Sequence, residues 1–197
     1  MTWGCASLLL LVHGLILGDL NDVFSEWGFK PADAFHHFGA TFVTPFFLHA
    51  GWFHLVGNAY FLLVFGDDVE HALGRLKYLG LLLGGSVLGV IAHGLFTSRP
   101  EVVLVGASAG ISAVLVFYAL AFPKNRIGLV IRYRYFTISA RVACLCWLAE
   151  QGVGATMQYL GRSSVSAAAH IGGAAFGVVV WLVWSRRIDL WKLVTKR

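Results

Sequence analysis

Four polar side chains interrupt otherwise apolar runs in a combination that suits acyl transfer: His54, Asn58, Ser108 and His170. A hydroxyl is a weak nucleophile until a base takes its proton, and histidine titrates in the range this requires. Ser108 with His170 supplies such a pair. The developing oxyanion needs donors, a role open to Asn58, His54 and the backbone N–H of Ser108. Gly106 and Gly110 flank Ser108, and Gly173 with Gly177 forms a small-xxx-small stripe just beyond His170. Such stripes let two backbones approach closely, as a short Ser–His hydrogen bond between helices demands. Ser112 reads as an ordinary helix serine bonded to the carbonyl four residues back. Glu150 and Gln151 read as a polar pair bonding a neighbouring helix.

The elements that must position these residues are bilayer helices. Apolar runs fall at 2–18, 42–66, 78–97, 102–122, 142–160 and 165–184, six expected spans for a need of about 20 residues each. Pro45, His49 and Gly51 interrupt the second run, so its helix is expected to start near Gly51. The first run lacks a positively charged leader and a convincing small-residue cleavage pattern, so it reads as a span rather than a signal peptide. Spans two, four and six share one direction. Ser108 falls seventh in span four and His170 sixth in span six, which puts both roughly 8–9 Å below the outer end. His54 and Asn58, one turn apart on span two, lie at a similar depth.

Composition agrees. Of 197 residues 58% are hydrophobic and 13% charged, with mean hydropathy +0.74. That profile excludes a disordered chain, a nucleic-acid-binding module and nearly all soluble enzymes. The lipid bilayer is the expected surrounding. Of the 15 lysines and arginines, only Lys30, Arg99 and Arg162 fall on the outer side of a six-span layout. Both termini are therefore expected in the cytoplasm, which also accounts for the net charge of +5 without a nucleic-acid partner. The long first outer loop, 19–50, is rich in aromatics and is expected to lie in the membrane interface. Cys5, Cys144 and Cys146 sit in apolar runs without a C-x-x-C pair, so neither a disulfide framework nor a zinc knuckle is indicated. Without long-period repeats or a low-complexity linker, residues 1–197 read as one domain.

Several stretches together resemble the rhomboid family of intramembrane serine proteases. His49-Ala-Gly-Trp-Phe-His54-Leu-Val-Gly-Asn58 resembles its H-x4-H-x3-N signature, and Val69-Glu70-His-Ala-Leu73-Gly74 its V-E-x-x-L-G element. Gly106-Ala107-Ser108 resembles the G-x-S motif and Ala169-His170-Ile-Gly-Gly173 the A-H-x-x-G motif, in matching order over about 40–185. The resemblance implies an all-α, six-helix bundle with a Ser108–His170 dyad and no third acid. It also implies an oxyanion hole from His54, Asn58 and the Ser108 amide. His49 would support the outer loop; Glu70, Gly106 and Gly173 would be structural. Substrates would be transmembrane helices of other proteins, entering by a lateral gate formed by 161–166 and span five.

Three positions depart from the pattern. Ala109 stands where the family usually has glycine after the nucleophile. Ser112 stands where some members place an aromatic ring against the histidine, so the imidazole needs another support. Ala40 and Thr41 replace the Trp-Arg pair of the first outer loop.

A zinc protease would want His-Glu-x-x-His, which is missing, and an aspartyl type would want carboxylates in two spans, whereas Asp67 and Asp68 are adjacent. The histidines invite a metal reading. However, His36 and His37 are neighbours in the outer loop, and His71 and His93 fall toward opposite ends of span three. No metal or other cofactor is expected. The competing reading is a non-catalytic rhomboid-like protein that binds transmembrane helices for quality control. A transporter is disfavoured because the polar residues stop in the outer half. A prokaryotic plasma membrane is the expected location.

Overall fold

The computed structural model describes residues 1–160 and 165–184. Helices α1 (Thr2–Ile16) and α2 (Leu20–Trp27) meet at a 117° bend, and three short 3-10 turns follow at Pro31–Asp33, His36–Phe42 and Thr44–Phe47. Next come α3 (Trp52–Leu73), α4 (Arg75–Phe96) and α5 (Ser108–Ala121). An antiparallel hairpin, β1 (Arg126–Ile131) with β2 (Arg134–Ser139), leads to α6 (Ala140–Tyr159) and α7 (Ala167–Trp184). Six helices thus occupy the six expected apolar runs. α3 begins just after Gly51, where the broken pattern placed it.

The bundle is helical, as expected, apart from one hairpin: β1 and β2 pair from Arg126↔Ser139 to Ile131↔Arg134 through a tight turn at Arg132 and Tyr133, both at positive φ (48° and 65°). That turn type normally announces itself through Asn or Gly, and neither is present. One expectation is corrected: the fourth apolar run is not helical from its start. Residues 102–106 are not helical, Leu104 bridges antiparallel to Phe29 and Gly106 turns at φ 127°, so Ser108 opens α5 instead of lying two turns inside it. At 1.5 Å per residue the 14 residues of α5 are about 21 Å long, against a hydrocarbon core of roughly 30 Å. The nucleophile candidate thus opens a helix that is shorter than a bilayer is thick.

The tightest packing is among α4, α5 and α7. Nearly all of α5 is buried. A Cβ at Gly173 or Gly177 would run into the carbonyl oxygens of Ala109 and Ala113, and one at Gly110 into that of Leu82. Gly85 and Gly89 of α4 receive the Cβ atoms of Ala113 and Ala109 in the same way. Small residues have removed the side-chain layer, so these backbones touch. The reverse of soluble patterning holds outside: Leu15, Phe53 and Leu95 are 75%, 98% and 74% exposed on helix flanks. Contiguous exposed apolar faces of this kind suit lipid rather than water. Among the described helices only α4 is long and apolar enough to cross a bilayer unaided; α5 and α7 are apolar but shorter.

Candidate active site

Ser108 sits at the first position of α5, where the backbone N–H is not consumed by the helix ladder and the helix dipole favours an anion. Its Oγ lies 2.8 Å from His170 Nε2 on α7. The Gly173 and Gly177 contacts set that distance, because they bring the α5 and α7 backbones together one and two turns below it.

The support missing at Ser112 comes from α6. His170 Nδ1 donates to Gln151 Oε1 at 2.6 Å, while Gln151 Nε2 donates to the Trp147 carbonyl at 3.3 Å. The second bond fixes which amide atom is oxygen, and so places the imidazole proton on Nδ1 and the lone pair of Nε2 toward Ser108. Gln151 is buried. Its pattern in the sequence looked like a general interhelical bond, and only the fold reveals its partner. Glu150 points to the exposed side of the cleft instead. Ser112 donates to the Ser108 carbonyl at 2.7 Å, the ordinary helix-serine bond.

From α3, His54 and Asn58 face the same cleft. The Ala50 N–H donates to His54 Nδ1 at 3.4 Å, so the neutral ring carries its proton on Nε2. A Cβ built at Gly106 would lie 2.8 Å from that Nε2 and 3.7 Å from Ser108 Oγ, which locates both beside one small space. Glycine is needed at 106 twice over: its φ of 127° is outside the range of L side chains, and a side chain would fill this space. Asn58 is buried, and its Nδ2 has no hydrogen-bond partner. A buried amide N–H2 without an acceptor is costly unless an acceptor arrives with the substrate.

The cleft measures about 620 Å³ and is bounded by α3, α5, α6, α7 and the segment 102–105. That segment is held from behind by main-chain bonds: Leu104 N to Phe29 O at 2.8 Å, Phe29 N to Leu104 O at 3.1 Å, and Gly106 N to Pro45 O at 2.8 Å. The first outer loop thus positions the approach to Ser108 through its backbone, without the Trp-Arg pair that Ala40 and Thr41 replace. The departure at Ala109 is likewise absorbed, since its methyl fits against Gly89 of α4, away from the cleft.

His49 is fully buried, with its ring edge-on to His54 at 5.1 Å. Burial, with His54 nearby, pushes its imidazole down to about 3, so it stays neutral. Glu70 lies at the far end of α3, accepting from Thr2 N at 2.7 Å and Thr2 Oγ1 at 2.8 Å, and so fastens the start of α1. Ser166, absent from the expected site, caps α7 by accepting from Ala169 N at 3.1 Å and bonds His93 Nδ1 at 2.8 Å. Of the expected lateral gate, 161–164 lies outside the described residues, as does the basic stretch 185–197.

Residues 37–187 match the Rhomboid domain. Among curated proteins the chain is similar to Rhomboid-like protein 11, chloroplastic, of Arabidopsis thaliana, 32% identical over 185 residues (89% of this chain and 64% of the relative). It is 33% identical over 156 residues (74% of this chain, 39% of the relative) to Presenilin-associated rhomboid-like protein A, mitochondrial, of Danio rerio. The human Presenilin-associated rhomboid-like protein, mitochondrial, is 28% identical over 161 residues, 75% of this chain and 40% of its own. The chain thus spans under two thirds of these relatives' lengths. Their organellar names run against the expectation of a prokaryotic plasma membrane, which is withdrawn; a multi-pass membrane protein stands. Because the domain match takes in Ser108, His170, His54 and Asn58 together with the helices that hold them, the chain belongs to the rhomboid family.

Proposed function

We propose that this protein is an intramembrane serine endopeptidase that cleaves transmembrane segments of other membrane proteins through a Ser108–His170 dyad. The observation that carries this reading is the 2.8 Å Ser108 Oγ–His170 Nε2 contact, oriented by Gln151 on the far side of the ring. His170 takes the hydroxyl proton as Ser108 Oγ attacks the scissile carbonyl, then returns it to the leaving amine. The tetrahedral oxyanion is met by the Ser108 N–H, His54 Nε2–H and Asn58 Nδ2, the last of which has no other acceptor. Water entering the recess above α5 releases the acyl group by the reverse sequence. A glutamine amide in place of a carboxylate fixes the tautomer without the desolvation cost of a buried charge.

In this reading α1, α3, α4, α5, α6 and α7 pass through the bilayer, the short α5 is recessed from the outer side, and both termini are cytoplasmic. His49, Gly106, Gly173 and Glu70 hold the scaffold. No nucleic acid, metal or other cofactor takes part in the chemistry. The test is labelling of the full chain in detergent by a fluorophosphonate probe. Wild type is expected to label and Ser108→Ala to stay dark. Equal labelling would end the protease reading in favour of a non-catalytic binder of transmembrane helices.

A further inference from the structure

The first outer loop carries a second chemical cluster that the dyad does not use. Glu26 closes α2, and His36 and His37 lie in the turn that follows Pro31–Asp33. Consecutive side chains normally diverge. Here His37, Phe38 and Gly39 all take positive φ (48°, 56° and 84°), and the reversal brings the two imidazole rings to 4.1 Å, on one side of the chain.

His37 Nε2 lies 3.0 Å from Glu26 Oε1 and His36 Nε2 lies 3.6 Å from the same oxygen. One donor atom from each of the three side chains falls within 4.8 Å of the others. Ligands at roughly 2.0–2.2 Å around a tetrahedral ion are separated by about 3.4 Å, and the two His–Glu spacings of 3.0 and 3.6 Å lie on either side of that edge.

Two features separate this cluster from a plain ion pair. First, both Nε2 atoms are shielded from solvent, yet neither makes an aligned hydrogen bond, to Glu26 or to anything else. Their in-plane lone-pair directions are not spent on the carboxylate beside them. Second, the remaining nitrogen of His36 has a carboxylate of its own: Nδ1 sits 3.2 Å from Asp33 Oδ2. A carboxylate on one imidazole nitrogen is the usual arrangement that turns the other toward a metal. His37 is braced separately by stacking on Trp27 at 4.2 Å between ring centres.

We propose that Glu26, His36 and His37 bind one divalent transition-metal ion of the zinc class, with water at the open fourth position and Asp33 orienting His36. Two imidazoles and a carboxylate suit zinc and its borderline neighbours rather than calcium or magnesium. The ion clips the end of α2 to the turn at His36–Phe42, the same loop whose backbone holds segment 102–106 behind Ser108. This proposal departs from the sequence-based expectation of no metal.

The experiment uses the full chain in detergent with a histidine-free purification tag, stripped with chelator and then exposed to zinc or cobalt. Wild type should retain one zinc per chain through gel filtration, and cobalt should give the visible absorption of a low-coordinate site. Ser108→Ala should retain the same amount, which separates this outcome from the fate of the protease reading. Glu26→Gln, isosteric and surface-exposed, should lower zinc affinity along with His36→Ala and His37→Ala, and Asp33→Asn should weaken it about 10–100-fold. Zinc retention by the His36→Ala/His37→Ala double variant equal to wild type would overturn the proposal, and so would no retention by wild type.

Discussion

Helices α7 and α6 both border the cleft, and they are attached to the rest of the molecule in opposite ways. α7 lies backbone to backbone on α5, with Gly173 and Gly177 pressed against carbonyl oxygens. α6 buries only Ala140, Cys144 and Gln151; its Gly152 meets nothing within 4 Å and its Gly154 only an ordinary contact with Ala167. The first arrangement sets the Ser108–His170 separation by covalent geometry and hard contact, which is hardly adjustable. The second supplies the orienting group for the imidazole from a helix with few buried contacts to its neighbours. Distance and orientation in the dyad are thus governed by different helices, one tightly and one loosely packed.

The contrast can be broken most forcefully at Gly173. Gly173→Ala drives a methyl into the Ala109 carbonyl and should cost about 3 kcal/mol, the upper end of overpacking, with loss of activity, as read by thermal unfolding in detergent. On α3, across the cleft, Asn58→Ala should lower turnover by roughly 10²–10³ with the fold retained. Gln151→Ala, from the loose side, should cost only about tenfold in kcat, some 1.4 kcal/mol, with KM little changed. A loss as large as that of Asn58→Ala would mean that imidazole orientation from α6 matters as much as an oxyanion donor.

Acid tests the approach to α3. His49 titrates at about 3 in the folded protein against roughly 6.5 when unfolded. The unfolded chain therefore takes up its proton first. The stability this adds is complete above the ordinary histidine range and is lost as pH falls toward the folded value. Thermal unfolding scans from neutral to acidic pH should show His49→Gln with a flatter decline than wild type. The smallest effect belongs to Gly152→Ala on α6, where open space and better helix propensity should leave stability unchanged or raised by up to about 1 kcal/mol.

The long helices were legible because bilayer burial writes a continuous apolar run; the limits of α4 and α7 follow it closely, whereas α3 continues past its run to Leu73. His54, Asn58, Ser108 and His170 line one cleft, as the shared direction of their helices suggests, although the depth count that put Ser108 two turns inside its helix did not hold. What stayed hidden depends on the backbone leaving its usual regions. Residues 102–106 are apolar enough for a helix, and only the Gly106 turn and the bonds to Phe29 and Pro45 keep them out of one. The hairpin turn at Arg132 and Tyr133, and the reversal at His37 and Phe38, place ordinary side chains at positive φ, for which composition carries no mark. Gln151 was visible as a polar residue but not as a partner, since its role depends on which face of α6 meets α7.

The main-chain bonds behind segment 102–106 carry one more consequence. Hydrogen bonds from Phe29 and Pro45 read only peptide groups, so they are indifferent to which side chains the segment presents. Val102, Leu104 and their neighbours form one wall of the cleft without themselves holding it up. Such a wall can be rewritten by point mutation while the reacting atoms stay where they are. In the proposed protease, the preference for one substrate sequence over another is therefore free to drift here, on a separate track from the chemistry.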